Sequence, residues 1–246
     1  MATALIDTRA GFEEDNSFRA YPVKVLVGSE EQTFFVHAAL LSKTSKIFAA
    51  ATKEEWDQSG ERVIKLPEET TETFELYVRW LYAGRVVVKR QTDKITRGYE
   101  ALAKLYALGE RLMDATFQNC LMDGFLAGVK ERDDDGLTWW PTANHATVIF
   151  RSTTSNSPAR RFIIDCFVKQ AKESWFTRFA DKPDTLDPQF LLDLSAALLK
   201  HRELPEDKIE DYDHLMRGPS CRYHIHEDGK TCLDEELPEA ESHGDE

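Results

Sequence analysis

The segment CRYHIHEDGKTC places Cys221, His224, His226 and Cys232 within 12 residues, two sulfur and two nitrogen donors spaced C-x2-H-x-H-x5-C. Zn²⁺ takes tetrahedral N/S ligation, and Gly229 offers a turn that brings Cys232 back toward the histidines. Four protein ligands would leave no open position, so a metal held this way is structural rather than catalytic. The same residues also fit a metal-free folded-back segment, or redox use of the two thiols. A zinc-dependent enzyme is the remote alternative.

Other chemistry finds little support. His37, the first of seven histidines, stands where a strand passes into a helix, which suits an imidazole that hydrogen-bonds the following turn. No Ser or Cys nucleophile with a partner carboxylate accompanies it in a local motif. Gly28 lacks the spacing of either phosphate-cradling glycine motif. Glu54, Glu55, Glu61, Glu68 and Glu69 read as a solvated face, because nothing in the sequence would raise a carboxyl pKa there. Lys89, Arg90, Lys94 and Arg97 form a basic loop without interleaved aromatics, which argues against base stacking.

The elements that would position these groups follow from periodicity. VKVLVG at 23–28 and TFFV at 33–36 are two strands separated by a short polar turn, hence a hairpin. From His37 the period becomes helical, with a break near Ser42–Ser45, where hydroxyls can cap. RVIKL at 62–66 is a third strand stopped by Pro67. A helix capped by Thr70 or Thr71 then runs to Gly84. RVVVK at 85–89 has the composition of a short edge strand. Residues 99–125 carry apolar positions for two successive helices, with Gly109 and Asp114 as boundary candidates. The stretch after His145 suits either a helix turn or a strand, and residues 161–179 and 190–199 are helical. The pattern predicts an α+β fold in which strands come first and helices dominate later.

Composition narrows the class of protein. Of the 246 residues, 41% are hydrophobic and 11% aromatic, enough to supply a core. The net charge of −13 is concentrated in residues 203–246, which hold 15 acidic against 4 basic side chains, so the body is nearly neutral. Attraction to nucleic acid or anionic membrane is therefore disfavoured. No apolar run has the length of a membrane span, and the first residues lack the apolar core of a secretory signal. Four cysteines, with Cys120 and Cys166 inside helical patterns, predict a reducing compartment and an intracellular protein, in nucleus or cytoplasm.

Taken together, the first half resembles the BTB/POZ domain in its filamentous-fungal form. The residues that carry the likeness are Phe35-Val36-His37 ending the hairpin, the Leu40-Leu41 pair, Ser45-Lys46-Ile47-Phe48, Ile64-x-Leu66-Pro67, Phe74 and Trp80-Leu81-Tyr82-x-Gly84. Residues 102–123 look like the helix pair that completes such a domain, and the Cys/His tail is similar to the C-terminal region of fungal proteins of this type. The resemblance implies a three-stranded sheet with surrounding helices, followed by a mainly helical C-terminal region. It makes His37, Leu40 and Gly84 fold-defining residues. Two departures stand out: Pro22 where many animal members begin the first strand with Asp, and Trp56-Asp57-Gln58 where adaptor members place a hydrophobic-x-Glu motif.

The expected organisation is an N-terminal arm over 1–19, a BTB/POZ domain over 20–127, a linker over 128–145, a helical region over 146–202 and an acidic, largely disordered tail over 203–246. By resemblance the chain is a non-enzymatic protein–protein interaction module that self-associates or binds a scaffold. The alternatives are a substrate adaptor of a cullin-3 ubiquitin ligase and a transcription-associated regulator. Expected partners are proteins, either a second copy or cullin-3, without direct nucleic-acid or membrane contact. Phe48, Trp56, Tyr82 and Tyr106 are the residues expected at the interface. No cofactor is expected apart from structural zinc on Cys221, His224, His226 and Cys232.

Overall fold

A computed structural model describes residues 21–52, 63–88, 98–177, 179, 185–203, 220–226 and 231–232. Strands β1 (Pro22–Val27) and β2 (Gln32–His37) pair antiparallel, in register from Pro22↔His37 to Val27↔Gln32. Gly28 (φ 76°) and Glu31 (φ 49°) both turn through the left-handed region, where Gly28 meets no Cβ penalty. Strand β3 (Val63–Leu66) pairs parallel to β1, so the sheet order is β2-β1-β3. A parallel pair cannot be joined by a tight turn. The crossover includes α1 (Ala38–Thr44) and α2 (Lys46–Ala51). Central β1 turns Val23, Val25 and Val27 inward, each essentially without solvent exposure.

The helix ends lie where capping chemistry puts them. Ser45 separates α1 from α2: its Oγ accepts the Phe48 N–H at 3.1 Å and donates to the Leu112 carbonyl at 2.7 Å. Thr70 caps α3 (Thr71–Ala83) by accepting the Thr73 N–H, and Gly84 ends it in the left-handed conformation at φ 62°. Helices α4 (Tyr99–Leu112) and α5 (Ala115–Lys130) meet at Met113 and Asp114. Gly109, the other boundary candidate, lies within α4, tight against Phe117 and Gln118.

The edge strand expected at 85–89 does not form over its described residues, 85–88. A strand needs a neighbouring ladder as well as β-branched residues. Here Val86 and Val88 are spent on packing against the core, and the Val88 backbone runs close beside Gly98.

Beyond α5 the chain remains ordered through the stretch expected as a linker. Asp133 organises a turn there by accepting the N–H groups of Asp135 and Leu137 and the indole N–H of Trp139. Helix α6 (Ala143–Ser152) resolves the open reading after His145 in favour of helix, and His145 completes a capping box with Thr142. Helices α7 (Pro158–Gln170), α8 (Ser174–Thr177) and α9 (Pro188–Arg202) follow. Arg160 of α7 caps the end of α6, donating to the carbonyls of Phe150 and Thr153 with its guanidinium over the Phe150 ring. A single hydrophobic cluster runs from Val23 through the helices to Tyr223, so the helical region shares its core with the sheet. The fold is α+β with a helical C-terminal region, and no helix of the described residues is long and apolar enough to cross a membrane.

Candidate functional site

Of the four expected interface residues, two are corrected by burial. Phe48 and Tyr106 have no solvent exposure. Phe48 stacks near Tyr77, and Tyr106 lies beneath α7 with Ser157 donating to its hydroxyl at 3.4 Å. Both are aromatic positions on the inward face of an amphipathic helix, which serve the core rather than a partner. Trp56 lies outside the described residues. Tyr82 is 41% exposed, and its hydroxyl sits 2.6 Å from His37 Nδ1 while accepting the His37 backbone N–H at 3.3 Å. His37 is the N-cap residue of α1 but makes no side-chain cap; its ring joins the strand end to α3 instead. Leu40 is buried, and Gly84 is the αL cap of α3.

Exposed apolar surface occurs elsewhere on the same unit. On the outer face of the sheet, Phe35 of β2 and Val63 of β3 flank Lys24 in register. Phe35 is 67% exposed and Val63 39%, while Tyr21 just before β1 is 92% exposed. Alternation along β2 revealed Phe35 only as a strand residue, because in a short hairpin period alone does not say which face is covered.

Two buried polar features hold this unit together. Asp114, fully buried, accepts the Phe117 N–H at 2.9 Å, the Thr44 hydroxyl at 2.8 Å and the Tyr77 hydroxyl at 2.9 Å, joining α1, α3 and α5. Burial, reinforced by the Asp114 carboxylate, pushes the Tyr77 phenol well above its usual pKa. Burial also lifts the Tyr106 phenol to about 12. Glu69 corrects its reading as part of a solvated face: its side chain is 7% exposed and is gripped by both Nε and Nη2 of Arg111. Its partner lies 42 residues away, beyond any local pattern.

The Cys/His segment folds back onto the helices. A 3-10 turn over Ser220–Tyr223 opens it. Tyr223 is buried, edge-on to Phe162, and donates to Asp165 at 2.7 Å. Asn119 of α5 clamps the backbone of Ile225, donating to its carbonyl at 3.0 Å and accepting its N–H at 2.7 Å. The donor atoms of Cys221, His226 and Cys232 all lie within 4.8 Å of one another. His226 Nε2 is 3.2 Å from Cys221 Sγ and 3.4 Å from Cys232 Sγ. His224 stands beside that trio: its Nδ1 is 3.1 Å from Cys232 Sγ, and its Nε2 is 3.0 Å from Asp123 Oδ1. Asp123 and Asn119, one turn apart on α5, were not singled out in the sequence. Their spacing on one helical face was the available signal.

Residues 17–117 take in the three-stranded sheet, with its parallel third strand, and helices α1–α4. Over these residues the chain matches the family model of the BTB/POZ domain. No curated protein matches the chain. Residues 17–117 are thus similar to the BTB/POZ domain, and BTB domains are non-catalytic modules of protein–protein interaction and homo-oligomerisation.

Proposed function

We propose that this chain works without catalysis, as an interaction protein whose BTB/POZ unit binds a second copy of itself. The observation that supports this reading is the conjunction of the family match over 17–117 with the apolar residues Phe35 and Val63 left on the open face of the sheet. An exposed aromatic and an exposed aliphatic side chain on either side of Lys24 suit an interface centre, where a few large side chains carry most of the binding energy. Helices α6–α9 thicken the unit from behind, and kinship with the filamentous-fungal form of the domain belongs to the same proposal.

Light scattering across a concentration series tests the reading. The expected mass is at least twice the 28.2 kDa of the chain. Phe35→Lys should shift the population toward monomer while keeping the far-ultraviolet ellipticity of the folded chain, since an exposed side chain adds little to the monomer's core. A mass of one chain at every concentration overturns the proposal. Pull-down with the N-terminal domain of cullin-3 would then show whether a scaffold takes the place of the second copy.

A further inference from the structure

Independently of which partner the BTB unit takes, we infer that Cys221, His226, Cys232 and His224 hold a structural zinc ion that staples the C-terminal segment across α5 and α7. Tetrahedral zinc, with Zn–S of about 2.3 Å and Zn–N of about 2.0–2.1 Å, sets neighbouring sulfur and nitrogen ligands about 3.5 Å apart. The two sulfur–nitrogen separations within the trio, 3.2 and 3.4 Å, are those of ligand edges around one ion, and His224 Nδ1, 3.1 Å from Cys232 Sγ, stands next to them as the fourth donor.

Hydrogen bonding alone accounts poorly for this crowding. A neutral imidazole nitrogen carries either one proton or one lone pair, so His226 Nε2 can make one good hydrogen bond. Yet it faces two sulfurs at nearly equal range. Cys232 Sγ in turn faces a nitrogen of each histidine. A shared cation satisfies every one of these contacts, with both cysteines as thiolates. The Cys232 backbone N–H, pointing at Cys221 Sγ from 3.5 Å, is placed to stabilise a thiolate there.

The surroundings extend the argument. With Nδ1 turned toward Cys232, His224 presents Nε2–H to the Asp123 carboxylate, the carboxylate–histidine–metal arrangement that fixes a ligand's tautomer and orientation. The His224 side chain is only 9% exposed. Asn119 and Asp123 of α5 and Asp165 of α7 hold residues 223–225, between the first and third donors, against the helices. The ion therefore ties Cys232 to a stretch already seated on α5 and α7. All four donors come from protein, which assigns the site to structure.

Metal analysis of the full chain purified from zinc-replete medium should find about one zinc per chain. Replacement by Co²⁺ should give the intense visible bands of a tetrahedral site and a sulfur-to-cobalt charge-transfer band in the near ultraviolet. Cys232→Ser should abolish stoichiometric binding, whereas Cys120→Ser should keep it. Asp123→Asn should weaken metal affinity about 10–100-fold while retaining the cobalt spectrum. The cobalt spectrum is read on the unmutated chain, so it decides even if Cys232→Ser fails to fold. A chain purified with under about a tenth of an equivalent of zinc that also gives no charge-transfer band on titration with Co²⁺ overturns the inference. So does a weak six-coordinate spectrum, or full zinc content in Cys232→Ser.

Discussion

Asp114 offers the sharpest test of how the BTB unit is held together. Truncating it to alanine removes the N-cap of α5, a loss of about 1 kcal/mol. It also strips the Tyr77 hydroxyl of its acceptor in a fully buried position, which costs about 1–3 kcal/mol. The Thr44 hydroxyl, only partly buried, can turn to water and adds less. Asp114→Ala should therefore destabilise by about 3–5 kcal/mol, a large share of the roughly 5–15 kcal/mol typical of a folded protein. Asp114→Asn keeps a cap oxygen and offers its amide to the two hydroxyls, so it should cost less, about 1–2 kcal/mol. Urea unfolding followed by tryptophan fluorescence and far-ultraviolet ellipticity measures each midpoint at unchanged slope. Tyr77→Phe in the Asp114→Ala background removes the stranded hydroxyl, so the double variant should lose about 1–3 kcal/mol less than the sum of the single losses. Strict additivity, or a loss below about 1 kcal/mol for Asp114→Ala, would refute the view that this carboxylate joins three helices energetically.

Two further outcomes follow from buried side chains. Tyr106 keeps its proton to about pH 12 in the folded protein against 10.0 for a free phenol. The neutral form is thus favoured by folding. Its stabilisation is complete below pH 10 and disappears as pH rises from 10 to 12, where only the unfolded chain releases the proton. At about 1.4 kcal/mol per pH unit this amounts to about 3 kcal/mol, so Tyr106→Phe should lose less stability than the unmutated protein between pH 8 and 12, measured by urea unfolding at each pH. Gly128→Ala would set a Cβ 2.9 Å from the Tyr99 ring and hydroxyl. Tyr99 has nowhere to go, being stacked on Phe125 and bonded to the Trp139 carbonyl, so overpacking of about 1–3 kcal/mol should outweigh the helix propensity gained, and the thermal midpoint should fall. A rise in that midpoint would show that the α4–α5 contact yields more readily than its geometry implies.

Much of the fold was legible before any coordinates, and for local reasons. Hydroxyl caps at Ser45 and Thr70, the glycine stop at 84 and the aspartate start at 114 act through bonds to residues three or four positions away. The valines at 86–88 show where that reasoning fails: their β propensity is real, but among the described residues they pair with no strand. Two of the four interface expectations, Phe48 and Tyr106, met the same limit. Phe48 and Phe35 are both aromatic residues in amphipathic elements, yet one is fully buried and the other two-thirds exposed, a difference made by what packs over each face.

The sequence by itself determined the hairpin, the third strand, the helices from 71 to 130, the caps, the likeness to the BTB/POZ domain and the donor spacing of the Cys/His segment, because each is written in residues close together along the chain. Only the tertiary structure decided that Glu69 meets Arg111, that Asp114 gathers Thr44 and Tyr77, and that Asp123 reaches His224 across 101 residues. Those pairings depend on which helix faces come together as the common core closes. That choice is made by the summed burial of many side chains, and no single stretch of sequence records it.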